Sequence, residues 1–129
     1  MKRIKDEKKQ KEVYYAGIGS HNTPSNILAI MEELGFLLAR ENYILRSGGS
    51  PGADTAFEAG AKKAEAEFEI YLPWSEFQER SGVNYIDVTK LANFNKAAEI
   101  AKKHHPEFEK LTENAKKLIE SIWLIKTAI

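Results

Sequence analysis

Two glycine-rich stretches carry most of the residues that could do chemistry in this chain. Residues 17–20 read GIGS, and residues 47–54 read SGGSPGAD. Each follows an extended apolar run and precedes a helical pattern, so each predicts a βα turn. Glycine lets the backbone approach an oxyanion closely, and the unpaired N–H groups of a helix N-terminus point towards it. The pair of turns therefore predicts one binding crevice of the kind that holds a nucleotide phosphate.

The predicted ligand-binding residues are those of the two turns with three neighbours. They are Gly17, Gly19, Ser20, His21, Arg46, Ser47, Gly48, Gly49, Ser50, Gly52, Ala53, Asp54 and Trp74. For the glycines and serines, turn geometry alone is the alternative explanation. Arg46 can clamp a phosphate bidentately or face solvent, and Trp74 can stack on a base or cap the core.

Asp54 and Glu58 are the only candidate catalytic residues. They lie four residues apart, which places both carboxylates on one helix face. Such a pair can do acid–base work on an N-glycosidic bond, whereas solvation on the helix surface is the favoured interpretation. Asp54 can alternatively cap the helix or contact ribose hydroxyls. His104 and His105 point about 100° apart on a helix, so no metal site is predicted, and neither is a cofactor.

Periodicity predicts the elements that position these residues. Strands are expected at 13–16, 43–46 and 67–72, the first fully buried and the third, with its alternating polarity, at a sheet edge. The first helix should have Thr23 as N-cap and Pro24 at N1, and it should stop at a left-handed Asn42. Residues 75–90 are expected to be a long loop, followed by a helix over 96–105.

From residue 107 the chain is expected to be helical almost to its end. An apolar heptad seam follows this helix: Phe108, Leu111, Ala115, Leu118, Ile122, Ile125 and Ile129. The helix either docks on its own sheet or is shared with a second subunit, and both interpretations stay open. We expect a homo-oligomer, most simply a dimer, because the first strand would otherwise have an unpaired side.

Composition limits the classes of protein to which the chain can belong. The 129 residues include 19 basic and 19 acidic residues and no cysteine. This balance argues against a surface that coats nucleic acid, and no apolar span or secretory signal is evident, so we expect a cytoplasmic protein without membrane contact. Residues 1–12 are expected to be a flexible charged N-terminus, and 13–129 a single domain.

The two motifs, GIGSHNTP and LRSGGSPGADTAFEAGA, resemble the SLOG superfamily, which contains the Smf/DprA proteins and the LOG-type phosphoribohydrolases. The chain is most similar to small stand-alone members from bacteriophages. The resemblance implies a truncated Rossmann-like α/β three-layer sandwich, strand order 3-2-1-4-5 and a ligand at the carboxyl ends of the strands. His21 stands where an arginine is usual, and no third glycine turn follows Leu118, so strands four and five are expected to be missing.

The predicted function is binding of a nucleotide or nucleotide-derived signal without catalysis, for example to sequester a signal of host defence. The alternatives are a nucleoside-monophosphate phosphoribohydrolase using Glu58 or Asp54, a DprA-like single-strand DNA binder, and an inhibitor of a host protein. The missing third turn disfavours the enzyme, and the neutral charge disfavours nucleic acid.

Overall fold

The computed structural model describes residues 12–128. The predictions for the charged N-terminus and for Ile129 therefore lie outside the described residues, apart from Glu12. The strands are β1 (Val13–Ala16), β2 (Tyr43–Ser47), β3 (Phe68–Leu72) and β4 (Tyr85–Asp87). The helices are α1 (Ser25–Arg40), α2 (Ala53–Lys63), α3 (Phe94–His104) and α4 (Glu113–Ala128). Short 3₁₀ turns occupy Phe77–Glu79, Val88–Lys90 and Phe108–Lys110. The predicted α/β class, with a short parallel sheet and a long C-terminal helix, is confirmed.

All four strands are parallel and lie in the order β1-β2-β3-β4. The 3-2-1 part of the expected order 3-2-1-4-5 is confirmed, but the expected absence of a fourth strand is wrong, because β4 is present and pairs with β3 rather than with β1. The segment 75–90, predicted as a loop, contains β4, whose three residues are too few to show a strand period. Because β4 pairs with β3, β3 is an interior strand, and β1 and β4 are the two edge strands.

The predicted burial of β1 and β3 is therefore reversed. Val13 is 47% exposed, whereas Ile70 is fully buried and Tyr71 is 7% exposed. The alternating polarity of β3 suggested an exposed edge strand, but its polar side chains find hydrogen-bond partners within the sheet. Glu69 accepts hydrogen bonds from the Nε of Arg46 at 2.8 Å and from the hydroxyl of Tyr71 at 3.0 Å.

Helices cover both faces of the sheet. One core lies under α1 and α2, and its buried members are Leu45, Phe57, Ala61, Phe68, Ile70, Leu72 and Phe77. A second core lies under α3 and α4, with Tyr71, Val88, Ala97, Leu124 and Ile125. This arrangement is a small Rossmann-like sandwich in which every loop after a strand leaves the same sheet edge, here called the carboxyl edge.

Local sequence signals predicted the C-terminal end of α1 correctly. Asn42 adopts φ +68°, as predicted for a left-handed stop. The start is one residue later than predicted: Pro24 precedes the first helical residue, Ser25, and its carbonyl accepts from the amides of Ile27 and Leu28. The hydroxyl of Thr23 is not a cap, since it donates to the carbonyl of Ser20 at 2.6 Å.

The C-terminal helix docks on its own chain. It begins at Glu113 rather than at 107, because Leu111 is extended and the Thr112 hydroxyl accepts from the amide of Ala115. Leu124 and Ile125 are buried in the second core, while Ile122 is 40% exposed. No helix among residues 12–128 is long and apolar enough to cross a membrane.

Candidate functional site

The structure brings the two glycine turns into direct contact at the carboxyl edge. The amide of Ala53 donates to the carbonyl of Ser20 at 3.2 Å. A Cβ at Gly52, where φ is +88°, would lie 2.4 Å from the Cα of His21. A Cβ at Gly19 would lie 2.7 Å from the Cβ of Ala53. Only glycine permits this approach. The predicted crevice is thus a seam between two touching loops.

Asp54 holds that seam together. Its carboxylate, 5% exposed, accepts from the amide of Gly19 at 3.2 Å and from the amide of Gly48 at 3.1 Å. Burial raises the pKa of Asp54, although these amides and that of Ser50 counteract the rise. The amides predicted to cradle a phosphate therefore already have an anionic acceptor, supplied by the chain itself.

Three further turn residues have structural partners. The buried hydroxyl of Ser47 donates to the carbonyl of Gly17 at 2.6 Å, which ties the start of one turn to the other. A Cβ at Gly17 would lie 2.6 Å from Leu45. Gly49 is buried with φ +74°, a conformation that favours glycine. These residues shape the turns rather than present groups to solvent.

Arg80 and Thr55 are the rim residues that sequence reasoning missed. The Nε and Nη2 of Arg80 each lie 2.8 Å from Oε1 of Glu58, and Nη2 lies 3.3 Å from the hydroxyl of Thr55. The Cδ of Arg80 would be 3.2 Å from a Cβ at Gly49, so Arg80 borders the second turn. The available signal was that Arg80 is the only basic residue between Lys63 and Lys90.

Glu58 is a buried acceptor and not a solvated surface residue. It is 2% exposed. It also accepts a hydrogen bond from the hydroxyl of Tyr85 at 2.7 Å and pairs with the ammonium of Lys62 at 3.0 Å. Burial alone would raise the pKa of Glu58, but hydrogen bonds from Arg80, Tyr85 and Lys62 leave it lowered. The interpretation of Asp54 and Glu58 as exposed helix-surface carboxylates is wrong.

A line of accessible polar groups remains along the carboxyl edge. We call Ser20, His21, Ser50, Thr55 and Arg80 the rim. Ser20, His21 and Thr55 are exposed, and Ser50 and Arg80 are half-buried. The Thr55 hydroxyl donates to the carbonyl of Ser50 at 2.8 Å, which connects the second turn to Arg80. Hydroxyl, imidazole and guanidinium groups in one line can bind phosphate and sugar oxygens.

Arg46 and Trp74 are placed elsewhere. Besides its bond to Glu69, Arg46 lies over the ring of Tyr14 at 3.8 Å from the centroid, an ideal cation–π distance. Trp74 packs edge-on against Phe77 with centroids 4.9 Å apart, beside the first core. Both side chains stabilise the fold, and the structure does not bring them to the rim.

The two neighbouring histidines at the end of α3 have separate contacts. The ring of His104 lies 5.7 Å from that of Trp123, and Nδ1 of His105 accepts from the amide of Glu107 at 3.3 Å. Across residues 12–128, no three His, Asp or Glu side chains are grouped so that they could hold a metal ion.

The carboxyl edge therefore combines a locked pair of glycine turns with a polar rim and one guanidinium. This arrangement can bind an anionic or hydroxylated small molecule, and its two buried carboxylates are engaged by the protein. No family model, curated protein or solved structure matches the chain.

Proposed function

We propose that the chain binds a nucleotide or a nucleotide-derived small molecule at the rim, without turning it over. The observation that carries the proposal is the contact between two glycine turns at the carboxyl edge of a parallel sheet, with Arg80 beside them. In open α/β sheets, ligands bind outside the carboxyl ends of the strands. The exposed hydroxyls and the guanidinium suit the phosphate and ribose oxygens of such a ligand.

The phosphate belongs on the rim and not on the amides of Gly19 and Gly48. The carboxylate of Asp54 already accepts from both amides. A second anion about 4 Å away would be repelled by roughly 4 kcal/mol at an effective dielectric constant of 20. Arg80 borders the second turn, with Nη2 3.3 Å from the hydroxyl of Thr55, and its guanidinium supplies a cation there.

Binding without turnover follows from the state of the two carboxylates. A general acid must hold a proton near neutral pH and must face the substrate. Glu58 has a lowered pKa and is paired with Arg80 and Lys62, so it has no proton to give. Asp54 faces backbone amides. Both carboxylates are buried and already engaged by donors of the chain itself, which for Glu58 include Arg80 of the rim.

The resemblance of both glycine motifs to the SLOG superfamily supports the same ligand class. In a phage-type member of that group, such a site would serve to sequester a nucleotide signal of host defence. The test is an inventory of the small molecules that the purified protein releases on denaturation, read by mass spectrometry. A Thr55→Glu variant places a negative charge on the rim, and Asn95→Glu places the same charge on the exposed surface of α3.

We expect wild type and Asn95→Glu to release a nucleotide-type compound in near-stoichiometric amount, and Thr55→Glu to release about a tenth as much or less. The compound should remain intact when added back to the protein. Equal amounts from all three proteins, or no such compound from wild type, would contradict the proposed site. Chromatographic detection of free base would contradict binding without turnover.

A further inference from the structure

One apolar surface has no partner among residues 12–128. Of the eight large hydrophobic residues that are exposed within the described chain, six lie on or beside α1 and β1. We call these six the α1–β1 face: Val13, Ile27, Ile30, Leu34, Leu37 and Tyr43. Val13 and Tyr43 are register partners on neighbouring strands. Their side chains share the sheet face that α1 covers, since Tyr15 and Leu45, two residues further along, belong to the first core.

The helical part of this face has the spacing of an association seam. Ile27, Ile30, Leu34 and Leu37 are separated by three, four and three residues, which places them in one stripe along α1. Ile30 is 60% exposed and Leu37 is 50% exposed. The buried residues of α1, Gly35 and Ala39, lie on the opposite side, against the fold. The stripe therefore lies on the side of α1 that faces away from the rest of residues 12–128.

The strand part of the face offers unpaired backbone groups. The amide of Gly17 donates to the carbonyl of Arg46, so the amides of Tyr15 and Val13 also point towards β2. The alternate residues, Tyr14 and Ala16, direct their N–H and C=O groups away from the sheet. No strand of the described chain lies beyond this edge, and such an edge is a template for pairing with another strand.

We propose that the α1–β1 face binds a second copy of this chain in a two-fold dimer, with β1 antiparallel to its mate and α1 packed against its mate. A two-fold axis makes both elements self-complementary. The stripe on α1 meets the same stripe on its mate, and the outward groups of Tyr14 can pair with those of Ala16 in the antiparallel mate, and the reverse. The two sheets would then join into one of eight strands.

The apolar area of the α1–β1 face matches what binding of a second copy of the chain requires. Six half-exposed apolar side chains present roughly 500 Å². A stable interface buries about 800 Å² on each partner, and about 65% of a homodimer interface is apolar, so about 500 Å² of apolar surface is needed. An apolar patch of this size is comparable to the largest patch on a typical monomer, and such patches are often functional.

The test is the molar mass in solution by light scattering at micromolar concentrations. The molar mass measured for wild type should be twice the monomer mass of 14.6 kDa. The double variant Ile30→Glu with Leu34→Glu should run at the monomer mass with an unchanged circular dichroism spectrum, because both side chains are exposed, and its association should be at least about 100-fold weaker. The control Val83→Glu changes a side chain that is 96% exposed outside the face and should remain dimeric.

Two further measurements hold even if the charged variant fails to fold. The chain contains no cysteine, so Ile30→Cys or Leu34→Cys introduces a single thiol that should form a disulfide-linked dimer on mild oxidation, whereas Val83→Cys should not. Hydrogen exchange of wild type should show protection of the Tyr14 and Ala16 amides. A monomeric wild type, a dimer that persists in the double variant, or fast exchange at both amides would each overturn the proposal.

Discussion

Replacing Asp54 by alanine tests the contact that holds the two glycine turns together. The change removes a buried carboxylate that accepts from the amides of Gly19 and Gly48, 35 and six residues away in the chain. A hydrogen-bond donor that loses its acceptor costs about 1 to 3 kcal/mol, with the higher value for a fully buried group. The bond to Gly48 is buried and the bond to Gly19 is partly buried, so water can replace only the second.

The losses at the two amides add to about 3 to 5 kcal/mol. Burial of the ionised group opposes them, because it raises the pKa of Asp54 and so costs free energy in the folded state. The net loss expected for Asp54→Ala is therefore about 2 to 4 kcal/mol. Asp54→Asn keeps one oxygen acceptor and should lose about half as much.

Urea unfolding followed by circular dichroism measures both variants against wild type. If the two turns are held by Asp54, the midpoint should fall in the order wild type, Asp54→Asn, Asp54→Ala, with an unchanged slope. A stability of Asp54→Ala within about 0.5 kcal/mol of wild type, the range of ordinary surface changes, would refute the reasoning.

Three other predictions concern the glycine contact and two buried polar groups. Gly52→Ala should destabilise the fold by several kcal/mol or prevent folding, because its Cβ would collide with the backbone of the first turn. Gly82→Ala, also at a positive φ but with only an ordinary 3.7 Å contact to Tyr85, should lose only about 1 kcal/mol of stability, and similar losses in the two variants would contradict the contact. The lowered pKa of Glu58 means that its contribution is present above its unfolded pKa of about 4.3 and is lost as pH falls through the folded value. Glu58→Gln should therefore be less stable than wild type at pH 7, and acid titration of stability should show the gap closing; a constant gap would argue against the ion pairs. Tyr15→Phe removes a buried hydroxyl that has no hydrogen-bond partner in the described structure, so calorimetry should show an unfolding free energy unchanged or about 1 kcal/mol higher, and a clear loss would contradict this assignment.

Local sequence patterns were sufficient for the parts of the fold that depend on neighbours in the chain. The helix at the second glycine turn and the left-handed Asn42 follow from glycine, asparagine and apolar spacing. Strand order does not depend on such local signals. Three residues of β4 decided whether β3 is interior, and a strand so short shows no period.

In the candidate site, too, only the features that depend on local sequence were predictable. Parallel strands end at one edge, so the meeting of the two turns was predictable from the sequence. The roles of Asp54 and Arg80 were not, since the carboxylate of Asp54 reaches Gly19 across 35 residues and Arg80 reaches Glu58 across 22. A buried charge and a solvated one look alike in a sequence; only the packing of α2 and the loop before β4 separates them.

The most direct test of nucleotide binding at the rim is an amide-resolved NMR titration with a panel of nucleoside monophosphates, cyclic mononucleotides, cyclic dinucleotides and ADP-ribose-type compounds. At least one member should produce saturable shifts that centre on Ser20, His21, Ser50 and Thr55 and on the side chain of Arg80. The amides of α3, on the other face of the sheet, should not move. Saturable shifts centred on α3, or no saturable shift at the rim with any member of the panel, would contradict the account.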